Sequence, residues 1–171
     1  RQRQMCIRER YRPDPRFLPS LSDEEKNYKE MAKILLNEGV DILLLEMLLD
    51  IDHSKILLNA ALETGLPVWV GLSCCISKHD QTIIGRNYGA EKTESLIYDK
   101  TKIVENPKFL PEDKIIPLVD MIDELTSIGG DVYGIMHSWF EDSKLGLEVL
   151  KDKWSGPCLL YTSDAADDLL C

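Results

Sequence analysis

The sequence lacks several signals that would assign it to a broad class of proteins. No apolar run reaches the roughly 20 residues that a membrane-spanning helix needs. The chain opens with RQRQ, without the apolar segment of a signal peptide and without an initiator Met. We therefore predict that a preceding part is missing. No Lys/Arg-dense run offsets the formal net charge of −10, so neither nucleic acid nor an anionic membrane is an expected partner.

Cysteine is scarce and irregularly spaced, with five residues in 171. An odd number without regular spacing does not predict a disulfide framework. The pattern favours a reducing compartment, and we predict a cytoplasmic protein. The adjacent pair Cys74 and Cys75 follows a predicted strand. Because structural zinc sites use separated pairs and no second pair is present, we predict buried packing for both side chains.

Glycine-rich phosphate-binding motifs are also missing. Neither G-x-G-x-x-G nor G-x-x-x-x-G-K-[ST] occurs, which disfavours nucleotide-binding folds. The apolar content of 44 % and charged content of 29 % are ordinary for a globular protein. The length predicts one domain with a substantial core.

Helical and strand-like patterns alternate along the chain. Predicted helices begin near Ser22, with an S-x-x-E capping box, near Asp52 as an N-cap, near Ile116 and near Asp142. Predicted strands cover residues 40–46, 67–73 and 131–137, with strand remnants at 5–7 and after Gly156. This alternation predicts an α/β fold with a parallel sheet and helical crossovers. Periodicity alone does not separate a doubly wound sheet from a closed barrel. The polar region 77–113 is predicted to be an insertion.

Two polar residues lie where predicted strands end, which is where parallel α/β folds bind ligands. Glu46 follows the apolar run 42–45 and suits either an amine, a metal or an ordinary ion pair. His137 ends the strand 131–137 and suits a metal ligand, a general base or a satisfied core histidine. Two polar side chains at the carboxyl ends of predicted parallel strands would lie at the same edge of the sheet, which favours a functional role for both.

Residues 158–171, CLLYTSDAADDLLC, resemble a translated adapter from DNA sequencing libraries. We therefore predict that the native sequence stops near Pro157 and that 158–171 is a non-native tail. A genuine acidic tail is the alternative.

Two blocks of the chain resemble the homocysteine S-methyltransferase family. Within residues 22–76, a helix leads into GVDILLLE and, after a second helix, into GLPVWVGLS. These stretches are similar to the family patterns G-V-D-x-x-x-x-E and G-x-P-V-W-V. Within residues 130–157, GIMHS stands where the family has G-I-N-C-T. His137 therefore occupies the position of a family cysteine.

The resemblance implies a (β/α)8 TIM barrel. Residues 1–157 would form a partial homocysteine-binding domain with roughly strands three to six, and the seventh strand would be cut short. It also implies transfer of a methyl group to homocysteine to give methionine, with small-molecule substrates and a zinc ion that stabilises the substrate thiolate. Glu46 matches the glutamate that contacts the homocysteine amino group. His137 would replace one of three cysteine ligands of zinc, and the other two belong to a G-G-C-C motif that this sequence does not contain.

Two other readings stay open. One is a metal-independent TIM-barrel enzyme in which Glu46 and His137 form an acid/base pair. The other is an inactive, truncated barrel. The sequence does not indicate the methyl donor or the oligomeric state.

Overall fold

The computed structural model describes residues 4–8, 19–77, 81–85 and 116–161. These residues form an α/β fold of four helices and seven strands. In chain order the elements are β1 (Gln4–Arg8), α1 (Leu21–Asn37), β2 (Ile42–Leu48), α2 (Ile51–Leu62), β3 (Val68–Leu72), β4 (Cys74–Ile76), β5 (Ile83–Gly85), α3 (Leu118–Ile128), β6 (Val132–Met136), α4 (Phe140–Lys153) and β7 (Cys158–Tyr161). Within these ranges, none of the helices has the length and apolar character to cross a membrane.

Five of the strands form one parallel sheet in the order β1-β2-β3-β6-β7. The order follows the chain without a reversal. Because crossovers between parallel strands are right-handed, the helices that connect these strands lie on the same face of the sheet. Consistently, α1 packs against α2, α2 against α3, and α3 against α4. A doubly wound sheet reverses its strand order at a switch point, so the described sheet is not doubly wound.

The hydrophobic core lies between the sheet and these helices. Strand residues that alternate along β2, β3 and β6 contribute one side, since successive side chains of a strand point to opposite faces. The helices contribute the other side through their apolar stripes. Core residues with no exposed surface include Leu43, Leu45, Leu72, Ile135, Leu57, Leu58, Met121, Ile122 and Leu125.

The caps of the first two helices lie two residues before the predicted positions. Ser20 caps α1 and accepts a hydrogen bond from the N–H of Asp23 at 3.1 Å. Asp50 caps α2, and its Oδ1 accepts from the N–H groups of Asp52 and His53 at 3.0 and 3.2 Å. The sequence prediction of Ser22 and Asp52 was therefore wrong. Both stretches contain two candidate caps, and the extended backbone at the earlier one decides which is used.

The chain after Pro157 enters the sheet. β7 pairs in parallel with β6, with Tyr133 opposite Cys158 and Met136 opposite Tyr161. The predicted boundary at residue 157 thus falls immediately before a strand. The assignment of 158–171 to a non-native tail stays a prediction, and residues 162–171 lie outside the described ranges.

The predicted insertion 77–113 also lies largely outside the described ranges. Within it, the apolar residues Ile83 and Ile84 belong to β5, which pairs in antiparallel fashion with β4. This hairpin contacts α3 and α4.

Tyr133 provides a test of packing at the start of β6. Its ring is buried and tilted against Trp154, with ring centroids 4.9 Å apart. Its hydroxyl donates to the carbonyl of Gly129 at 2.5 Å. Burial raises the pKa of this hydroxyl above its ordinary value of 10.0, because ionisation would place a charge in the core.

Replacing Tyr133 with Phe is therefore expected to have opposite effects at neutral and alkaline pH. Near neutrality the variant should lose about 1 kcal/mol of unfolding free energy with the hydrogen bond. Above about pH 10 the wild type should lose stability, since its unfolded state ionises while its folded state does not. Urea unfolding of both proteins between neutral pH and above about pH 10 should show that Tyr133→Phe loses less unfolding free energy at alkaline pH than the wild type. Equal losses in the two proteins would show that the Tyr133 hydroxyl is not kept un-ionised by burial.

Candidate functional site at the carboxyl edge of the sheet

Glu46 lies near the carboxyl end of β2, at an irregularity of the sheet. β2 pairs with β3 in regular register as far as Leu45, and the register shifts before Leu48. One extra residue is accommodated on β2 over this stretch, which is a β-bulge. Met47, next to Glu46, has a φ of 59°. The predicted strand ended beside Glu46, whereas the observed strand continues through the bulge to Leu48.

Glu46 is on the face of the sheet that the helices do not cover. Leu43 and Leu45 belong to the core cluster shared with the helices. Because side chains alternate along a strand, Leu44 and Glu46 point to the opposite face. Glu46 is only partly exposed there.

A close contact on the same face lies beside the bulge. Gly71 is on β3, opposite the extra residue of β2. A Cβ atom at Gly71 would come within 1.9 Å of the Met136 Cε, so the thioether of Met136 lies over this glycine. The side chain of Met136 therefore extends from β6 over the neighbouring strand β3. The missing side chain at Gly71 makes room for it.

His137 directly follows β6 at the same carboxyl edge. Its φ of 50° places its backbone in the left-handed region. A residue other than glycine adopts this conformation rarely, and it persists where the surrounding structure holds it. The Nε2 atom of His137 is shielded from solvent. The structure thus places His137 at the predicted edge, and its role stays a prediction.

Glu46 and His137 share one edge of the sheet but do not lie on neighbouring strands. β3 separates β2 from β6. Since adjacent strands are about 4.8 Å apart, the two strand ends are separated by about 10 Å. A ligand of amino-acid size fits such a spacing better than direct proton exchange between the two side chains. If Glu46 and His137 act as an acid/base pair, a substrate must therefore lie between the two side chains.

Three buried serines around His137 were not singled out by the sequence prediction. Ser73 follows β3, Ser138 follows His137, and Ser143 lies in the first turn of α4. The hydroxyls of Ser73 and Ser138 both donate to the carbonyl of Met136, at 2.9 and 3.1 Å. Serine is common in loops and carries no periodic signal, so sequence pattern alone could not identify them.

Cys74 and Cys75 are both buried, as the packing prediction required. The thiol of Cys74 donates to the carbonyl of Asp142 at 3.5 Å. A Cβ atom at Gly146 would come within 2.6 Å of the Cys74 Sγ, so α4 packs closely on this cysteine. Cys74 therefore fills the interface between β4 and α4.

The donor groups near His137 do not make a metal site by themselves. Within the described ranges, no three side chains of His, Cys, Asp or Glu come together in an arrangement that could hold a metal ion. Zinc normally needs at least three protein ligands. His137 is thus one candidate ligand, and the described residues do not complete its set.

A cluster of polar side chains joins the amino ends of α1 and α2. The buried Glu24 pairs with the Nδ1 of His53. The Nε2 of His53 lies 4.0 Å from Asp50, the cap of α2. This cluster ties two neighbouring helices together on the carboxyl side of the sheet.

One comparison is with models of protein families. The family model described as homocysteine S-methyltransferase matches residues 4–97, more than half of the chain. The matched range contains Glu46 and the first of the two resembling blocks. His137 lies outside it. No curated protein sequence matches the chain.

Solved structures of the homocysteine methyltransferase MmuM from Escherichia coli have a similar fold. The apo form aligns with a TM-score of 0.61 and 16 % identity, over 98 % of this chain and 52 % of that one. The metallated form aligns with a TM-score of 0.59 and 18 % identity, over 94 % and 45 %. The chain thus spans about half the length of these relatives.

Proposed function

Because the chain belongs to the homocysteine S-methyltransferase family, we propose that it is part of an enzyme that transfers a methyl group to the thiol of homocysteine, giving methionine. The observation that supports this most directly is the position of Glu46. It lies in the family-matched range, at a bulge near the carboxyl end of β2, on the face that the helices leave open. Ligands of parallel α/β folds bind at this end of the strands.

Glu46 would bind the ammonium group of homocysteine. A carboxylate that is only partly exposed forms a stronger charge-assisted hydrogen bond than a fully solvated one. Such a contact would orient the substrate with its thiol directed along the carboxyl edge. The spacing of about 10 Å between the ends of β2 and β6 leaves room for the thiol to approach His137.

The fold of the longer protein would be a closed (β/α)8 barrel. The singly wound sheet and its one-sided helices support this, since successive β/α units that always add in one direction close into a barrel. In the parallel sheet, β1, β2, β3 and β6 would be roughly the third to sixth barrel strands, and β7 would be the start of a seventh that is cut short. The isolated chain would then be a partial barrel, and we expect no methyl transfer from it. Residues 158–171 keep the status of a proposed non-native tail.

Zinc is proposed on the family resemblance and on the position of His137. The described residues do not complete a zinc site, so the other ligands would come from elsewhere in the longer protein. The second substrate would be a small-molecule methyl donor. Cys74 and Cys75 are thiols that form no disulfide, which fits the proposed cytoplasmic location.

The zinc content of the longer protein tests this proposal, with the wild type compared with His137→Ala. We expect about one zinc per chain and methyl transfer to homocysteine in the wild type, and loss of both in the variant, because removing one ligand weakens the site. Ser54→Ala, a change at a buried serine on α2, is the control and should retain both.

Zinc retained in full by His137→Ala would remove His137 from the proposed ligands. Methyl transfer by a protein without zinc would instead favour the metal-independent acid/base reading. Absence of methyl transfer with every donor class would contradict the proposed function.

A further inference from the structure

We infer that Ser73 and Ser138 are positioning residues, which hold His137 in its left-handed conformation and so determine the direction of its imidazole. The inference rests on the proposed function, in which His137 takes part in the site. It is carried by the hydrogen bonds on both sides of His137.

The peptide group before His137 is held by two hydroxyls. The carbonyl of Met136 accepts from Ser73 at 2.9 Å and from Ser138 at 3.1 Å. These donors come from different elements, one from the end of β3 and the other from the turn itself. A carbonyl with both lone pairs occupied cannot rotate without losing at least one bond.

The Ser138 hydroxyl is also tied to the neighbouring strand. It accepts a hydrogen bond from the N–H of Cys74 at 2.8 Å, while it donates to Met136. The hydroxyl therefore connects the first residue of β4 with the last residue of β6. Loss of this side chain would remove the acceptor of the Cys74 N–H and one of the two hydrogen bonds to the Met136 carbonyl, in a buried environment where lost hydrogen bonds are costly.

The peptide group between Ser138 and Trp139 is held from α4. The carbonyl of Ser138 accepts from the hydroxyl of Ser143 at 3.3 Å. The N–H of Ser143 donates to the carbonyl of Trp139 at 2.7 Å, which closes the first turn of α4. The two-residue segment His137–Ser138 thus lies between two anchored peptide groups.

Burial makes these hydrogen bonds effective constraints. Ser73, Ser138 and Ser143 are 0 %, 3 % and 2 % exposed. Water does not compete for their hydroxyls at such depth, and hydrogen bonds there are electrostatically stronger than in solvent. A left-handed φ at a histidine needs constraints of this kind, because without them the residue relaxes to the right-handed or extended region.

The test follows the imidazole itself by NMR. The chain contains three histidines, so a protein with isotope-labelled histidine gives few ring signals, and His137→Ala assigns the signal of interest. In Ser73→Ala and Ser138→Ala we expect the His137 ring signal to shift and to broaden at least about twofold, because the ring then exchanges between conformations. Ser138→Thr keeps the hydroxyl and should restore the wild-type signal.

Ser54→Ala is the matched control. Ser54 is also fully buried, and its hydroxyl donates to the backbone carbonyl of Asp50, at the start of α2. This variant should lower the unfolding midpoint without moving the His137 signal. If Ser73→Ala and Ser138→Ala behave in the same way, the serines only stabilise the fold and the inference is wrong. If Ser138→Ala does not fold, Ser73→Ala decides, because it leaves the Ser138 hydrogen bonds in place.

Failure of this inference and failure of the proposed function give different results. The ring signal reports the position of His137 in this chain, whether or not the longer protein transfers methyl groups. If the longer protein stays active after His137→Ala, the orientation of His137 has no role in methyl transfer. An unchanged ring signal in both alanine variants would remove the positioning role and leave the proposed function standing.

Discussion

Replacement of Glu46 by Gln is expected to lower kcat/KM for homocysteine about 10- to 150-fold in the longer protein. Glutamine keeps the size of the side chain but removes its charge. A hydrogen bond to a charged group contributes about 1.5–3 kcal/mol in total, and about 1.4 kcal/mol corresponds to a factor of ten. The loss should appear mainly in substrate binding. Steady-state kinetics with varied homocysteine measure it.

A substrate analogue shows whether the effect involves the amino group. The desamino analogue of homocysteine has the thiol and the carboxylate but no ammonium group. The wild type and Glu46→Gln should both bind this analogue weakly and with similar affinity, because neither can form the contact between the Glu46 carboxylate and an ammonium group. Glu63→Gln is the control, since Glu63 is an exposed surface residue that pairs with Lys29. If the wild type and Glu46→Gln prefer homocysteine over the desamino analogue by the same factor, Glu46 does not contact the ammonium group.

Replacement of Leu43 by Ala is expected to cost about 2–5 kcal/mol of unfolding free energy. Leu43 has no exposed surface and belongs to the core between the sheet and the helices. Its truncation removes buried apolar area and leaves a cavity among close-packed neighbours. A domain of this size has about 5–15 kcal/mol of stability, so the variant loses a large part of it. Urea unfolding at low protein concentration measures the change.

Ile34 supplies the matched control for this core substitution. Ile34 lies on α1 and is 54 % exposed. Ile34→Ala removes a comparable amount of side chain but creates no internal cavity, so it should cost less than about 0.5 kcal/mol. Similar losses at both positions would mean that Ile34 is buried in solution, for instance by self-association of the chain.

The alternation of elements could be predicted because it depends on local patterns. The apolar run of β2 and the helical spacing of α3 are visible within a few residues, and the structure confirms both elements. Gly39 and Gly65 follow the ends of α1 and α2, and their φ values of 74° and 73° are the left-handed conformation that glycine commonly adopts after a helix. The caps at Ser20 and Asp50 were missed, because each lies two residues from an equally suitable side chain.

The strand order could not be predicted from the same patterns. Parallel strands buried on both faces have one sequence signature, whether the sheet winds once or twice. The order β1-β2-β3-β6-β7 depends on which edge of the sheet each strand joins, and contacts between residues far apart in the sequence determine this. The β-bulge at Glu46 is likewise invisible in sequence, since it arises from the pairing of β2 with β3.

By itself, the sequence determined the type and approximate bounds of the four helices and of the strands of the parallel sheet, and the family to which the chain belongs; the β4–β5 hairpin was not predicted. Local propensity, apolar periodicity and short motifs are sufficient for these properties. The tertiary structure alone decided that the helices cover one face, that Met136 lies over Gly71, and that two serine hydroxyls converge on the carbonyl before His137. Ser73 and Met136 are 63 residues apart in sequence. Contacts of this kind exist only after the strands have paired, because the pairing register, and not the local sequence, brings the two groups together.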